Sequence, residues 1–223
     1  MMQRPEMLNQ RRKKSPVFLS ILTAILVLVS AVVLLDSIRA MFMFTVEIKG
    51  SSMLNTFYGG ERIDGDYRGG DIVYALKNFT AERGDVVIID TSDSASFAGN
   101  GGTVFSSEII IKRLIATEGD SVRCEHGVVY LKKPGEEYVA LDEPYAITRP
   151  DYSFPEVTLS EGEIFFLGDN RPISLDSQEV VAYGYHLLTE NSIIGVVPEW
   201  AISIKWFTTG WENLRSTINS FFT

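Results

Sequence analysis

Between Val17 and Leu35 the chain runs VFLSILTAILVLVSAVVLL, nineteen residues without a charge. At about 1.5 Å per residue, a helix of that length covers roughly 30 Å, the hydrocarbon thickness of a bilayer. The run therefore reads as a transmembrane anchor over 17–35. A cleaved signal peptide, ending at SIRA, is the competing reading. Against it stand the large Ile38 at the −3 position and an apolar run longer than a signal peptide needs. A buried core helix is the third reading, and the absence of any polar interruption disfavours it. Residues 1–16 carry Arg4, Arg11, Arg12, Lys13 and Lys14 against Glu6. The positive-inside rule places such a basic tail in the cytoplasm and the remaining chain outside it.

That remainder is acidic. The whole chain has a net charge of −9, which leaves about −13 beyond the basic tail. Nucleic acid is excluded as a partner, because phosphate contacts need a basic face. The lone Cys124 forms no internal disulfide. With only His126 and His186 beside it there is no metal-ligand spacing, so no metal and no cofactor are expected. The CEH triplet reads as a hairpin tip before GVVYL.

From Met41 the pattern changes to short β-prone runs: FMFTVEI, DIVYAL, DVVIID, EIIIKRLIA, GVVYL, EIFFLGD and SIIGVVPEWAISI. Gly, Asp, Pro and Asn punctuate them, predicting a mainly β body over 41–206 built on a coiled or bulged sheet. TSDSASFAGNGG, from Thr91 to Gly102, reads as a polar loop. Over 207–223, Phe207, Trp211, Leu214, Ile218 and Phe222 share one helical face. That stripe is expected to pack on the body, with contact to a membrane surface as the alternative.

One strand poses a chemical question. Ile109 to Ile115 is aliphatic except for Lys112 and Arg113 at its centre. Successive strand residues point to opposite faces, so whichever face is buried receives a cation. A buried arginine stays charged and needs a carboxylate, whereas a buried lysine can lose its proton and act as a base. Two other stretches are rich in candidate partners. KGSSMLNT presents Ser51 or Ser52 in a small-residue turn after a strand, where a hydroxyl and free backbone N–H groups can meet a carbonyl. GDNRPISLDS, Gly168 to Ser177, crowds polar groups behind EIFFL. A serine with a desolvated lysine as base is a known variant of the catalytic triad. The bland alternative makes Ser52 a turn residue and Lys112 a strand lysine that snorkels to solvent.

In order and content these stretches resemble the bacterial type I signal peptidases, membrane-anchored Ser–Lys endopeptidases. GSSMLNT resembles their serine box, ERGDVVIID the following strand box, IIIKRLIATEGDSV the lysine box and GDNRPISLDSQ the last box, with LDEPYA as the linker between the final two. The resemblance runs from the anchor to about Trp206. It implies an extracytoplasmic, β-barrel-like catalytic domain that removes signal peptides from preproteins after Ala-X-Ala-like sites. It implies Ser52 as nucleophile, Lys112 as general base, Ser174 as the hydroxyl holding the lysine, and Asp169 with Arg113 as a supporting ion pair. Met53, Ile110 and Ile111 would line the substrate surface. Preprotein signal peptides and membrane lipid are the partners implied, and the protein is expected to be a monomer. Soluble self-cleaving repressors share the dyad but carry a helix-turn-helix where this chain has an anchor. A non-catalytic assembly factor of the same shape would be expected to lack Ser52 or Lys112.

Three positions depart from the family pattern. Asn55 replaces a proline, so the turn after Ser52 is expected to be less fixed in φ. Gln178 replaces an arginine, which leaves Asp176 without its expected partner and predicts that Gln178→Arg stabilises. Gly50 stands where some members carry a serine that adds a second oxyanion donor.

Overall fold

The structure, a computed structural model, describes residues 16–92 and 109–220. The basic tail and the polar loop beyond Ser92 lie outside the described residues. The chain divides into two compact units, one up to Met41 and one from Phe42.

The first unit is helix α1, Pro16–Phe42. Its 27 residues span about 40 Å. From Val17 to Phe42 it is long and apolar enough to cross a membrane. The helix runs seven residues past the expected end at Leu35. Asp36 and Arg39 lie one turn apart and pair at 2.8 Å, so charge does not interrupt the backbone there.

In the second unit, β1 (Met43–Glu47) pairs antiparallel with β4 (Ile72–Leu76), and the small hairpin β2 (Glu61–Ile63) and β3 (Asp66–Arg68) lies between them in sequence. With β5 (Val86–Asp90), β6 (Ile109–Ala116), β11 (Phe165–Leu167) and β12 (Ile193–Val197) they form a six-stranded sheet in the order β1-β4-β12-β5-β6-β11. A second sheet has the order β10-β7-β8-β9, from β7 (Ser121–Glu125), β8 (Val128–Lys132), β9 (Val139–Ala140) and β10 (Phe154–Thr158). Among the described residues neither sheet closes, because β1 and β11 end as edges. The body is thus mainly β as expected, but the barrel-like closure is not seen.

The continuous run VVIID in β5 follows from burial on both faces. Val86 and Ile88 join a core with Ile48, Phe57, Val73 and Val197, while Val87 and Ile89 join a larger one with Leu114, Val122, Phe154 and Phe165. Neighbouring β6 inherits the same coverage, so both Lys112 and Arg113 are buried rather than one of them.

Two expectations about the last third change. SIIGVVPEWAISI is not one β run: Pro198, which has no N–H to donate, ends β12 and opens helix α3 (Glu199–Ser203). Helix α4 (Lys205–Ser220) forms as predicted but does not pack by its apolar stripe. Phe207, Trp211, Leu214 and Ile218 are each about half exposed. The face turned to the body is polar, with Thr208 fully buried and Thr209 Oγ1 accepting from Ile72 N at 2.8 Å. Phe222 lies outside the described residues.

Candidate active site

Lys112 lies in mid-β6, opposite Val87 of β5, with 4% of its surface exposed. Its Nζ is 2.9 Å from Ser52 Oγ and donates to Ile111 O at 3.1 Å. Burial lowers the ammonium pKa from 10.5 to about 8, against the opposing pull of Asp176, Asp169 and Glu179. The strand therefore supplies a lysine that loses its proton far more readily than an ordinary one, beside one hydroxyl.

Ser52 sits in a turn that starts at Gly50, whose φ is +81°, and closes through Leu54 N to Ser51 O at 3.1 Å and Phe57 N to Met53 O at 2.8 Å. The turn is clamped from across the fold. Asn170 N donates to Ser52 O at 2.9 Å and Asn170 Nδ2 to Ser51 O at 3.1 Å. Gly168 makes this approach possible, since a Cβ there would lie 2.2 Å from Ser174 Oγ and 2.6 Å from Ser52 O. Among the described residues no acceptor takes the Ser52 N–H. It remains available to a developing oxyanion.

Arg113, on the opposite face of β6, meets Asp169 in a two-pronged pair at 2.9 and 2.7 Å. Its third nitrogen donates to Gly84 O at 2.7 Å, and its guanidinium stacks 3.7 Å from the centre of the Tyr145 ring. Thr56 Oγ1 donates to Asp169. A second buried pair, Arg171 with Glu143 at 2.5 Å, takes a hydrogen bond from Tyr145 Oη to Glu143. Asn170, Thr56, Glu143, Tyr145 and Arg171 thus hold the serine turn to the last box, although sequence reasoning gave them no role. Two signals were present in the sequence, a threonine four residues after Ser52 and an acid–aromatic pair inside LDEPYA.

Four expectations are corrected. Asp176 is not without a partner: its carboxylate accepts from Gly168 N at 2.9 Å and Gln178 N at 3.2 Å. It caps helix α2 (Ser177–Ala182), where Glu179 reaches back to Asp176 N at 3.1 Å in a capping box. Burial raises the pKa of Asp176, and burial together with the Asp176 charge raises Glu179 to about 7. Ser174 does not hold Lys112. Its buried hydroxyl lies beside the Asp176 carboxylate, favouring the ionised form, without good hydrogen-bond geometry to any partner among the described residues. The short 3-10 turn Arg171–Ile173 sets Ser174 against Gly168 instead. Asn55 is not a looser proline, for its φ of +89° is one that proline cannot adopt, and its Nδ2 donates to Tyr145 O at 2.9 Å. Met53, 1% exposed, packs into the core with Ile48 and Phe57 and does not line a surface.

Ile110 and Ile111 do line one. Together with Ile109, Ser52, Lys112 and Tyr67 they border a groove of about 780 Å³. Its floor is half of β6: β11 pairs only from Arg113 onward, so among the described residues no strand covers the outer edge of Ile110 and Ile111. The groove brings the Ser52 hydroxyl and the Lys112 amine to a strand edge. Among the described residues no group of His, Cys, Asp and Glu could hold a metal ion. Burial raises the Cys124 thiol to about 11, which disfavours the reactive thiolate.

Comparison with known proteins matches residues 21–201 to the family described as signal peptidase, peptidase S26. Signal peptidase I of Bacillus amyloliquefaciens is 33% identical over 66% of this chain and 68% of its own length. Signal peptidase I of Bacillus licheniformis is 30% identical over 75% and 81%. Signal peptidase I U of Bacillus subtilis strain 168 is 30% identical over 84% and 87%. A solved signal peptidase I of Enterococcus faecalis aligns over 54% of this chain and 98% of its own at 23% identity, with a TM-score of 0.37. With the match covering most of its length, the chain belongs to the signal peptidase family, peptidase S26.

Proposed function

We propose that this chain is a signal peptidase I, a membrane-anchored serine endopeptidase that removes signal peptides from preproteins with Ser52 as nucleophile and Lys112 as general base. The observation that carries the reading is the 2.9 Å approach of Ser52 Oγ to a buried lysine whose pKa burial lowers to about 8. Neutral Lys112 takes the proton as Ser52 Oγ attacks the scissile carbonyl. The Ser52 N–H faces the oxyanion, and the lysine then gives its proton to the leaving amine. Water, deprotonated by the again neutral Lys112, attacks the acyl-enzyme, and the lysine returns that proton to Ser52 Oγ as the ester bond breaks. The edge of Ile110 and Ile111 accepts the substrate as an added strand. Alternate side chains then face the groove, and shallow apolar pockets favour small residues at −1 and −3.

The anchor reading places residues 1–16 in the cytoplasm, 17–35 in the hydrocarbon and the body outside, as a monomer that meets signal peptides beside lipid. It is supported by the charge asymmetry about an apolar helix. The test is cleavage of a preprotein carrying an Ala-X-Ala site. Wild-type protein cuts it, while Ser52→Ala and Lys112→Ala do not. Near-normal cleavage by either variant overturns the assignment.

A further inference from the structure

A surface helix ordinarily turns its apolar stripe to the core and its polar face to water. Helix α4 is inverted. Its body-facing side is polar: Thr208 is fully buried, Thr209 Oγ1 accepts from Ile72 N, and Lys205 pairs with Asp71 at 3.1 Å. The opposite side, Phe207, Trp211, Leu214 and Ile218, points outward and half exposed. At 100° per residue those four side chains fall within an arc of about 60°. The polar bonds fix which way the stripe faces, so ordinary packing cannot account for it.

We propose that this stripe docks into the interfacial layer of the bilayer that α1 spans, giving the body a second, reversible membrane contact. The inference rests on the anchor reading given above, and three observations favour lipid. First, no linker separates the anchor from the body. Helix α1 ends at Phe42, β1 begins at Met43, and Phe42 O already accepts from Lys77 N at 2.8 Å. β1 pairs with β4, and α4 lies on β4 through Thr209, so α4 sits within about 20 Å of Phe42, the residue at which the body begins. Second, the stripe is aromatic-rich, with Trp206 beside Phe207, a composition suited to the headgroup boundary. Third, the stripe offers roughly 400 Å² of exposed apolar side chain, about half of what each partner of a stable protein pair buries. That is small for a second copy of this chain but ample for an interfacial helix.

The chain's three tryptophans, Trp200, Trp206 and Trp211, all lie in or beside α4. Full-length protein with Trp200→Phe and Trp206→Phe, keeping Trp211, is reconstituted in phosphatidylcholine vesicles with and without brominated acyl chains. Bromine is expected to reduce Trp211 emission by about half. Adding Leu214→Asp and Ile218→Asp is expected to abolish that loss while cleavage of a soluble peptide is retained. Emission indifferent to bromine in protein that stays with the vesicles overturns the docking proposal alone. So does emission that responds only to protein density, which would indicate a second copy, or only to added signal peptide, which would indicate substrate. Release of the protein by alkaline carbonate overturns both the docking proposal and the anchor reading.

Discussion

Lys112 costs stability in order to be useful. Its folded pKa of about 8 lies below the ordinary 10.5. Below pH 8 the folded state therefore carries a buried charge that the unfolded state holds in water, and the penalty disappears as pH rises from 8 through 10.5. Its size at neutral pH is on the order of 3 kcal/mol. Lys112→Met is accordingly expected to raise the thermal midpoint at pH 7 while abolishing cleavage. That gain should fade above about pH 10.5. A midpoint unchanged at pH 7 would mean that the lysine is not held as a desolvated cation. Asn55 makes the opposite kind of prediction. Restoring the family's proline would force φ to about −65° in a turn that needs +89° and would delete the bond to Tyr145 O, so Asn55→Pro should cost about 3 kcal/mol or more. Denaturant unfolding measures this, and a stable Asn55→Pro protein would show that the turn has a second conformation. Lys112 stood out in the sequence because a lysine inside an aliphatic strand is unusual, whereas the choice of Ser52 over Ser51 rested on the resemblance to the family's serine box. Their supports were not legible. Asn170, Thr56 and the Glu143–Arg171 pair act through contacts of more than a hundred, or tens of, residues' separation that local pattern does not encode.

At the level of elements, the last box depends on how α2 begins. Gly168 N and Gln178 N converge on the Asp176 carboxylate, and Glu179 completes the cap. An arginine at 178 finds no vacant charge, so Gln178→Arg is expected to give no gain in thermal midpoint. Asp176→Ala leaves the buried Gly168 N–H and the half-buried Gln178 N–H without an acceptor and should cost about 2–4 kcal/mol. A clear gain from Gln178→Arg would show that Asp176 still seeks a cation. Most strands were legible from β-branched runs and their punctuation. DVVIID and IIIKRLIA lie where the pattern put them, as β5 and β6. The stretch beyond Val197 was not, because a valine- and isoleucine-rich segment reads the same on either side of a proline that switches it to helix. The periodicity of α4 identified the helix and its stripe correctly. Which way the stripe faces is decided by Thr208 and Thr209, two residues that hydropathy treats as neutral.

The whole molecule joins an apolar helix to an acidic β body, and the two have separable duties in this account. The body from Phe42 on is compact by itself, with its own two cores. A protein shortened to begin at Met41 is expected to fold and to cut a soluble Ala-X-Ala peptide. It should lose much of its advantage on preproteins inserted in vesicles, since tethering confines enzyme and substrate to one surface. Equal efficiency of the long and short proteins on vesicle substrates would refute the tethering argument. The chemistry itself depends on the protonation of one buried lysine. The most direct test is the pH dependence of kcat/KM for preprotein cleavage by the full-length protein, followed from about pH 6 to pH 10. The account predicts a rising limb with its midpoint near 8, set by Lys112. A profile flat across that range, or one rising only near the 10.5 of an ordinary lysine, would contradict it.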